Sequence, residues 1–214
     1  MTSSAPPPDA AIAVFAKAPV PGAVKTRLAG VLGADAAASL HAGLVRHALS
    51  TAVRAGVGPV SLWCAPDVAH PFFARCAQES GARLEPQQGD DLGARMRHAF
   101  EPAWRSSVRL LVIGADCPAL TAAHLEAAAR ALREKDAVFV PAEDGGYVLV
   151  GLARPLAGVF EDIPWGTAAV MTRTRERLRA AGASWTELPA LWDVDRPDDY
   201  ARLQREGLLS EVLS

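Results

Sequence analysis

The run Val108-Arg109-Leu110-Leu111-Val112-Ile113 is almost continuously apolar and stops at Gly114. A strand with one face in water alternates apolar and polar residues, so this one is expected to be covered on both faces. Sheets of that kind are largely parallel, and the crossovers between their strands are helices that supply the cover. The rest of the chain has the elements required. Residues 34–56 place Leu40, Leu44, Ala48 and Ala52 four apart, the stripe of an amphipathic helix ending at glycine. Short β-prone runs at 12–15, 60–64, 83–85, 137–140, 147–152 and 184–188 are interspersed with helical patterns at 70–80, 91–104, 121–132, 167–181 and 197–206. This alternation predicts an α/β fold with an open, mainly parallel sheet flanked by helices.

Composition narrows the field. A chain of 214 residues, 50% hydrophobic and 21% charged, is long enough for one substantial core, and residues 11–214 are read as a single domain. Residues 1–10 hold Ser3, Ser4 and Pro6-Pro7-Pro8 without a basic residue or an apolar core, the composition of a disordered tail rather than a signal peptide. Lysine and arginine total 22 against 24 acids, and a net charge of -2 gives no broad attraction to nucleic acid. Cys64, Cys76 and Cys117 form no CxxC pair, which argues against a disulfide framework and fits a reducing cytoplasm. No membrane span is expected, since even the alanine-rich stretch 34–55 is broken by Asp35, His41, Arg46, His47 and Arg54.

In open α/β sheets ligands bind beyond the carboxyl ends of the strands, so the residues just after each strand carry the functional question. The loop from Lys17 through Pro19, Pro21 and Gly22 to Lys25 and Arg27 is stiffened by its prolines and holds three cations. It suits a polyphosphate, or is a solvated basic turn; it is no Walker loop. Asp116, after the most buried strand, suits a hard divalent cation, or caps the turn that follows. Alternate spacing puts Asp193 and Asp195 on one side of an extended segment, where two carboxylates repel unless a cation or proton lies between them. Asp198 and Asp199 fall in the first turn of the last helix and complement its dipole. Glu143-Asp144-Gly145-Gly146 offers close backbone approach and two acids for acceptor binding or general-base work, or is a tight hairpin turn. Gln88, Gly89, Asp91 and Trp165-Gly166-Thr167 sit at helix starts, where free amides meet anions or nucleobase edges and where capping alone also explains Asp91 and Thr167. Cys117 reads as a packing residue, and the five histidines, on helical patterns without ligand spacing, are assigned no chemistry.

Taken in order, Phe15-Ala-Lys17-Ala-Pro-Val-Pro-Gly-Ala-Val-Lys25-Thr-Arg27-Leu28, Gln88-Gly-Asp-Asp-Leu-Gly-Ala-Arg95-Met96, Gly114-Ala-Asp116-Cys-Pro118, Pro141-Ala-Glu-Asp144-Gly-Gly-Tyr-Val-Leu-Val-Gly151-Leu152, Trp165-Gly-Thr167 and Asp193-Val-Asp195-Arg-Pro197 resemble one family. It is the glycosyltransferase-like family once designated DUF2064, associated with radical-SAM and selenium-related genes, a branch of the nucleotide-diphospho-sugar transferase superfamily. The resemblance runs from about residue 12 to residue 203. It implies a GT-A type sheet, a nucleotide with at least two phosphates, and a divalent metal, Mg2+ or Mn2+, at Asp116. This chain has Gly-Ala-Asp in place of a literal Asp-x-Asp. The Lys25-Thr-Arg27-Leu28 loop is also similar to the first loop of nucleotidyltransferases, including the phospholactate guanylyltransferases, and Asp193-Val-Asp195 resembles the late Asp-x-Asp segment of cytidylyltransferases. The loop has one glycine where sugar nucleotidyltransferases have a glycine-rich segment.

Residues and resemblance together give the expectation. A metal-dependent glycosyltransferase would bind nucleotide through Lys17, Pro21, Gly22, Lys25, Arg27, Gln88, Gly89 and Asp91, with Lys25 and Arg27 on the phosphates. Asp116, Asp193 and Asp195 would hold the metal. Glu143, Asp144, Gly145, Gly146, Trp165, Gly166 and Thr167 would face a small-molecule acceptor, and Asp144, as a general base, would be catalytic together with Lys25 and Arg27. The alternative is a nucleotidyltransferase that attacks a nucleoside triphosphate and releases pyrophosphate, and a third reading is a nucleotide-binding protein without turnover.

Overall fold

The computed structural model describes residues 10–106 and 108–213. Its seven strands are β1 (Ala11–Lys17), β2 (Val60–Ala65), β3 (Arg83–Pro86), β4 (Leu110–Gly114), β5 (Ala137–Pro141), β6 (Tyr147–Leu152) and β7 (Trp185–Glu187). The helices are α1 (Ala29–Leu32), α2 (Ala34–Ala55), α3 (Pro71–Ser80), α4 (Leu92–Arg105), α5 (Ala122–Ala131), α6 (Val170–Ala180), α7 (Pro197–Arg205) and α8 (Leu209–Leu213). The strands form one sheet in the order β3-β2-β1-β4-β6-β5-β7. Pairing is parallel except at β6, which runs against both β4 and β5. The architecture is the open, mainly parallel α/β sheet that the alternation of elements predicts.

The apolar run ends up where its composition requires. Along β4, Leu111 and Ile113 pack into a core with α2, α3 and α5, while Leu110 and Val112 pack on the opposite face with α4 and α6. Both faces are dry, and no alternation is needed in the sequence. A third cluster joins Leu40 and Leu44 of α2 to Trp192, Val194, Leu203 and Val212, and so docks the last helices onto α2. Close approach sets that docking, because a Cβ on Gly43 would lie 2.3 Å from the carbonyl oxygen of Val212.

Several boundaries differ from the sequence reading. α1 and α8, at four and five residues, are too short to show a helical period. Val108 precedes the paired part of β4, and α6 starts at Val170, so Trp165-Gly166-Thr167 lies in the loop before it. Ala10, placed with the tail, is fully buried and its amide donates to Val57. Residues 1–9, the rest of that tail, lie outside the described residues. Among the described residues no helix is long and apolar enough to cross a membrane.

Candidate functional site

The end of β1 is held by side chains from two other segments. Gln87, just after β3, donates its amide nitrogen to the carbonyls of Ala16 at 3.2 Å and Trp63 at 2.8 Å. His41 of α2 bonds the carbonyl of Lys17 through Nε2 at 3.0 Å. The chain then leaves the sheet through a loop in which Gly22 and Lys25 both have positive φ. For lysine that conformation is costly, about 1–3 kcal/mol, and persists only where surroundings enforce it. Here they do. The Lys25 side chain is 4% exposed, and its Nζ lies 2.6 Å from Asp116 Oδ1 and donates to the carbonyl of Val194 at 2.6 Å. Lys25 therefore fastens the first loop to the end of β4 and to the segment around Val194.

Asp116 divides its carboxylate between two tasks. Oδ1 is buried against Lys25 and stands 3.6 Å from His41 Nδ1, whereas the side chain as a whole is 45% exposed, which leaves Oδ2 outward. The Lys25 contact is an ion pair without a well-directed hydrogen bond. Burial pushes the Asp116 pKa up, but Lys25 and His41 outweigh it and hold the carboxyl well below the usual range.

The segment after β7 brings the remaining acids. Ala142 bridges to Leu191, Glu143 donates its amide to the Leu191 carbonyl at 2.9 Å, and the Val194 amide donates to the Asp116 carbonyl at 2.8 Å. Residues 191–194 thus run from the end of β5 to the end of β4, carrying Asp193 between Asp144 and Asp116. Trp192 and Val194 point into the core, so Asp193 and Asp195 share the outer side, as their spacing requires. Their environments differ. Asp195 ion-pairs with Arg27, whereas the Asp193 carboxyl is pushed up to about 6, first by burial and then by the charges of Asp144 and Asp116. The repulsion on Asp193 comes mainly from these two, with Asp195 the weakest contributor.

Glu143-Asp144-Gly145-Gly146 forms the turn of the β5–β6 hairpin, so the turn reading of this segment is correct in geometry and leaves the Asp144 side chain exposed. Gly145 has φ +93, and a Cβ there would sit 2.3 Å from the carbonyl oxygen of Ala168. The turn is held against the loop before α6 and against the first turn of α6, where Met171 donates its amide to the Gly145 carbonyl at 2.9 Å. Glu143 pairs with Arg202 at 2.8 Å, and that guanidinium lies 4.5 Å above the Trp192 ring. Thr167 closes a local turn with Pro164, Gly166 has φ +79, and Trp165 packs edge-on to Tyr147. Among the proposed acceptor residues, Asp144 has the freest carboxylate.

A cleft of about 540 Å³ opens at these strand ends, with Phe15, Lys17, Arg27, Gln87, Arg95 and Asp116 in its walls. A shallower recess of about 460 Å³ continues past Lys17, Gln87 and Arg95 to Val20 and Pro66. Lys17, Lys25, Arg27, Asp116 and Asp195 are thus gathered as a binding site requires. Pro21, Gly22, Gln88, Gly89 and Asp91 are not in the cleft wall, nor are Asp193 and the expected acceptor residues Glu143, Asp144, Gly145, Gly146, Trp165, Gly166 and Thr167; Asp91 caps α4 by accepting from Ala94 at 2.7 Å. The cleft includes side chains to which the sequence reading gave no role: His41, Gln87 and Arg95. Arg95 was visible as the cation one turn beyond the Asp91 cap, while a buried helical histidine carries no distinguishing signal.

Magnesium is usually held by one or two carboxylates plus substrate oxygens rather than by an all-protein cage. Among the described residues no group of three or more histidine, cysteine or acid side chains is spaced to hold a metal alone. The outward oxygen of Asp116 beside a half-buried, charge-crowded Asp193 fits the shared type of site.

A family model described as an uncharacterized protein conserved in bacteria (DUF2064) matches residues 48–167. The chain belongs to this family. A solved structure from Desulfovibrio desulfuricans G20, provisionally assigned as a nucleotide-diphospho-sugar transferase, is 30% identical with a TM-score of 0.82, covering 96% of this chain and 98% of that one. A nucleotidyl transferase from Methanothermobacter shares the fold at 17% identity, with a TM-score of 0.64 and coverage of 94% and 98%. Phosphoenolpyruvate guanylyltransferase from Chloroflexus aggregans is 31% identical over 121 residues, 55% of this chain and 59% of that protein. The match to this curated relative therefore spans little more than half of either length. The DUF2064 chain described here carries the fold of nucleotide-using transferases, as its motifs implied.

Proposed function

We propose that this chain is a metal-dependent nucleotidyltransferase acting on a nucleoside triphosphate. The observation that carries this reading is the charge balance of the cleft. Among the described residues neither Lys17 nor Arg95 has a carboxylate partner; Arg95 only donates through Nε to the Gly89 carbonyl at 3.1 Å. A nucleotide-sugar diphosphate carries less negative charge than a triphosphate, and an ion seated on Asp116 and Asp193 stands on the acid side of the cleft, away from these two cations. A triphosphate remains negative after the ion is counted, and Lys17 and Arg95 match that remainder.

In this reading Lys17, Arg27 and Arg95 hold the phosphates, and Asp116 and Asp193 hold Mg2+ or Mn2+, which supplies charge neutralisation at the phosphates when bound. An oxygen of the acceptor forms a bond to the α-phosphorus, the bond to the bridging oxygen breaks, and pyrophosphate leaves. Asp144 lies on the acceptor side and takes the proton when the acceptor is an alcohol. Gln87 uses both amide hydrogens on Ala16 and Trp63, so its Oε1 is the atom left for the cleft, an acceptor for a base N–H. Guanine presents such donors, and the Chloroflexus guanylyltransferase makes GTP the first donor to test. Glycosyl transfer from a nucleotide-sugar is the second reading, favoured by the Desulfovibrio structure. Product analysis with each nucleoside triphosphate, phosphoenolpyruvate and hydroxy acids tests the choice. Pyrophosphate release supports nucleotidyl transfer; nucleoside diphosphate formed only from nucleotide-sugars rejects it in favour of glycosyl transfer, and binding without product leaves a non-catalytic nucleotide-binding protein.

A further inference from the structure

A second cavity, of about 570 Å³, lies away from the strand-end cleft, between α2, α3 and α8. Its α2 wall carries Arg46, His47 and Arg54, and Leu49, Val53 and Val212 supply apolar surface. Arg46 and Arg54 are eight residues apart, which places them about 12 Å apart along one face of the helix. Arg46 is half-buried, and among the described residues no carboxylate pairs with it. Among the described residues Arg54 donates only to Thr51 Oγ1, at 3.2 Å. A partly desolvated guanidinium with its donors unfilled is a site for an anion. Across from this wall stand Glu79 and Glu211. Two acids opposite two arginines leave the cavity without a net positive charge and so disfavour polyanions, while a single carboxylate seated on the arginine wall meets unfilled donors and stays on the side away from the acids.

We propose that this cavity is a second small-molecule site, for a monoanionic organic acid whose carboxylate meets Arg46 and Arg54 and whose apolar body lies on Leu49, Val53 and Val212. Its volume is that of a metabolite pocket. The site is independent of the transferase reading, since none of its lining residues belongs to the strand-end cleft. It is nonetheless tied to that cleft by one bond: His47 Nε2 reaches the Pro118 carbonyl at 3.2 Å, in the turn that follows Asp116.

The probes are phenylacetate and its neutral isostere phenylacetamide, titrated into the full chain and followed by methyl NMR. Phenylacetate is expected to give saturable shifts at Leu49, Val53 and Val212, and phenylacetamide to bind at least tenfold more weakly. Arg46→Ala and Arg54→Ala should each weaken phenylacetate at least fivefold at an unchanged melting temperature, while Arg95→Ala in the cleft should not. Should either α2 variant fold poorly, the other and the comparison of the two probes still decide. Equal binding of the two probes, shifts confined to the cleft, or unaltered affinity in both folded variants would overturn the proposal.

Discussion

On the β1–β3 side the cleft wall carries Lys17, Arg27 and Arg95, whereas at the ends of β4 and β5 Asp116 lines it and Asp193 and Asp144 lie beyond its wall. The two halves of one sheet edge are thus charged with opposite sign. The parallel half is built by regular crossovers and grips its loop through backbone carbonyls, at Ala16, Lys17 and Trp63. The other half departs from the parallel rule at β6, and that departure makes the hairpin that presents Asp144 and leaves the path along which residues 191–194 bring Asp193 to Asp116. Lys25 is the stitch between the halves: a cation by type, but buried and committed to Asp116 and Val194. Lys25 thus neutralises the junction between the basic and the acidic surface.

Breaking the junction should have the largest effect. Asp116→Asn is expected to weaken divalent-dependent nucleoside triphosphate binding at least a hundredfold, read by calorimetry with and without magnesium. It should also cost about 1–3 kcal/mol in stability, because the buried Lys25 ammonium loses its counter-charge. The pH dependence has a definite sign. The Asp116 carboxyl is held below its unfolded value, so its stabilisation is present above the unfolded pKa near about 4 and is lost as pH falls below it. Urea melts from neutral to acid pH should show a shallower acid limb in the variant than in wild type.

Removing one cation at a time tests the phosphate half alone. Lys17→Ala and Arg95→Ala should each weaken triphosphate binding by about tenfold, or about 1.4 kcal/mol, with losses that shrink as salt is raised. Affinity for the nucleoside should stay within about twofold, and equal losses for nucleoside and triphosphate would place both cations elsewhere in the site.

Asp193→Asn sharpens the acid half in the opposite direction. With its pKa raised to about 6, charged Asp193 destabilises the ligand-free protein above that pH, and the penalty fades as pH falls toward the unfolded value. The variant should be more stable than wild type by about 1 kcal/mol at pH 7.5, a figure reduced for partial exposure, and equal to it near pH 4. A variant less stable at both pH values would mean that Asp193 is held by favourable contacts. The smallest effect is expected at the rim, where Arg202→Leu breaks the exposed pair with Glu143 and should cost no more than about 1 kcal/mol in thermal melts.

The parallel half was legible in the sequence because its signals are local. The β-prone runs at 12–15 and 60–64, the i, i+4 stripe of α2 and the glycines that close α2 and α3 each report on their own element. The acid half depends on pairing between distant segments. Asp193 and Asp195 share a side, as alternation requires, yet only the crossing to β4 shows that Asp193 joins Asp116 and Asp144 while Asp195 turns to Arg27. Lys25 was readable as a cation in a loop and not as a buried strut, because its burial is set by residues 169 positions away. Likewise Gln87 stands beside the Gln88 that the motif singles out, and only the strand register shows which of the two faces Ala16 and Trp63.

In the proposed nucleotidyl transfer, Lys17 and Arg95 answer the charge of a third phosphate. The most direct measurement is the ratio of affinities for a nucleoside triphosphate and the matching diphosphate, each with magnesium, in wild type and in the Lys17→Ala/Arg95→Ala double variant. Wild type should prefer the triphosphate by at least tenfold, and the double variant should bind both equally while keeping its melting temperature. A preference that survives in the folded double variant, or a wild type that prefers the diphosphate, would contradict it.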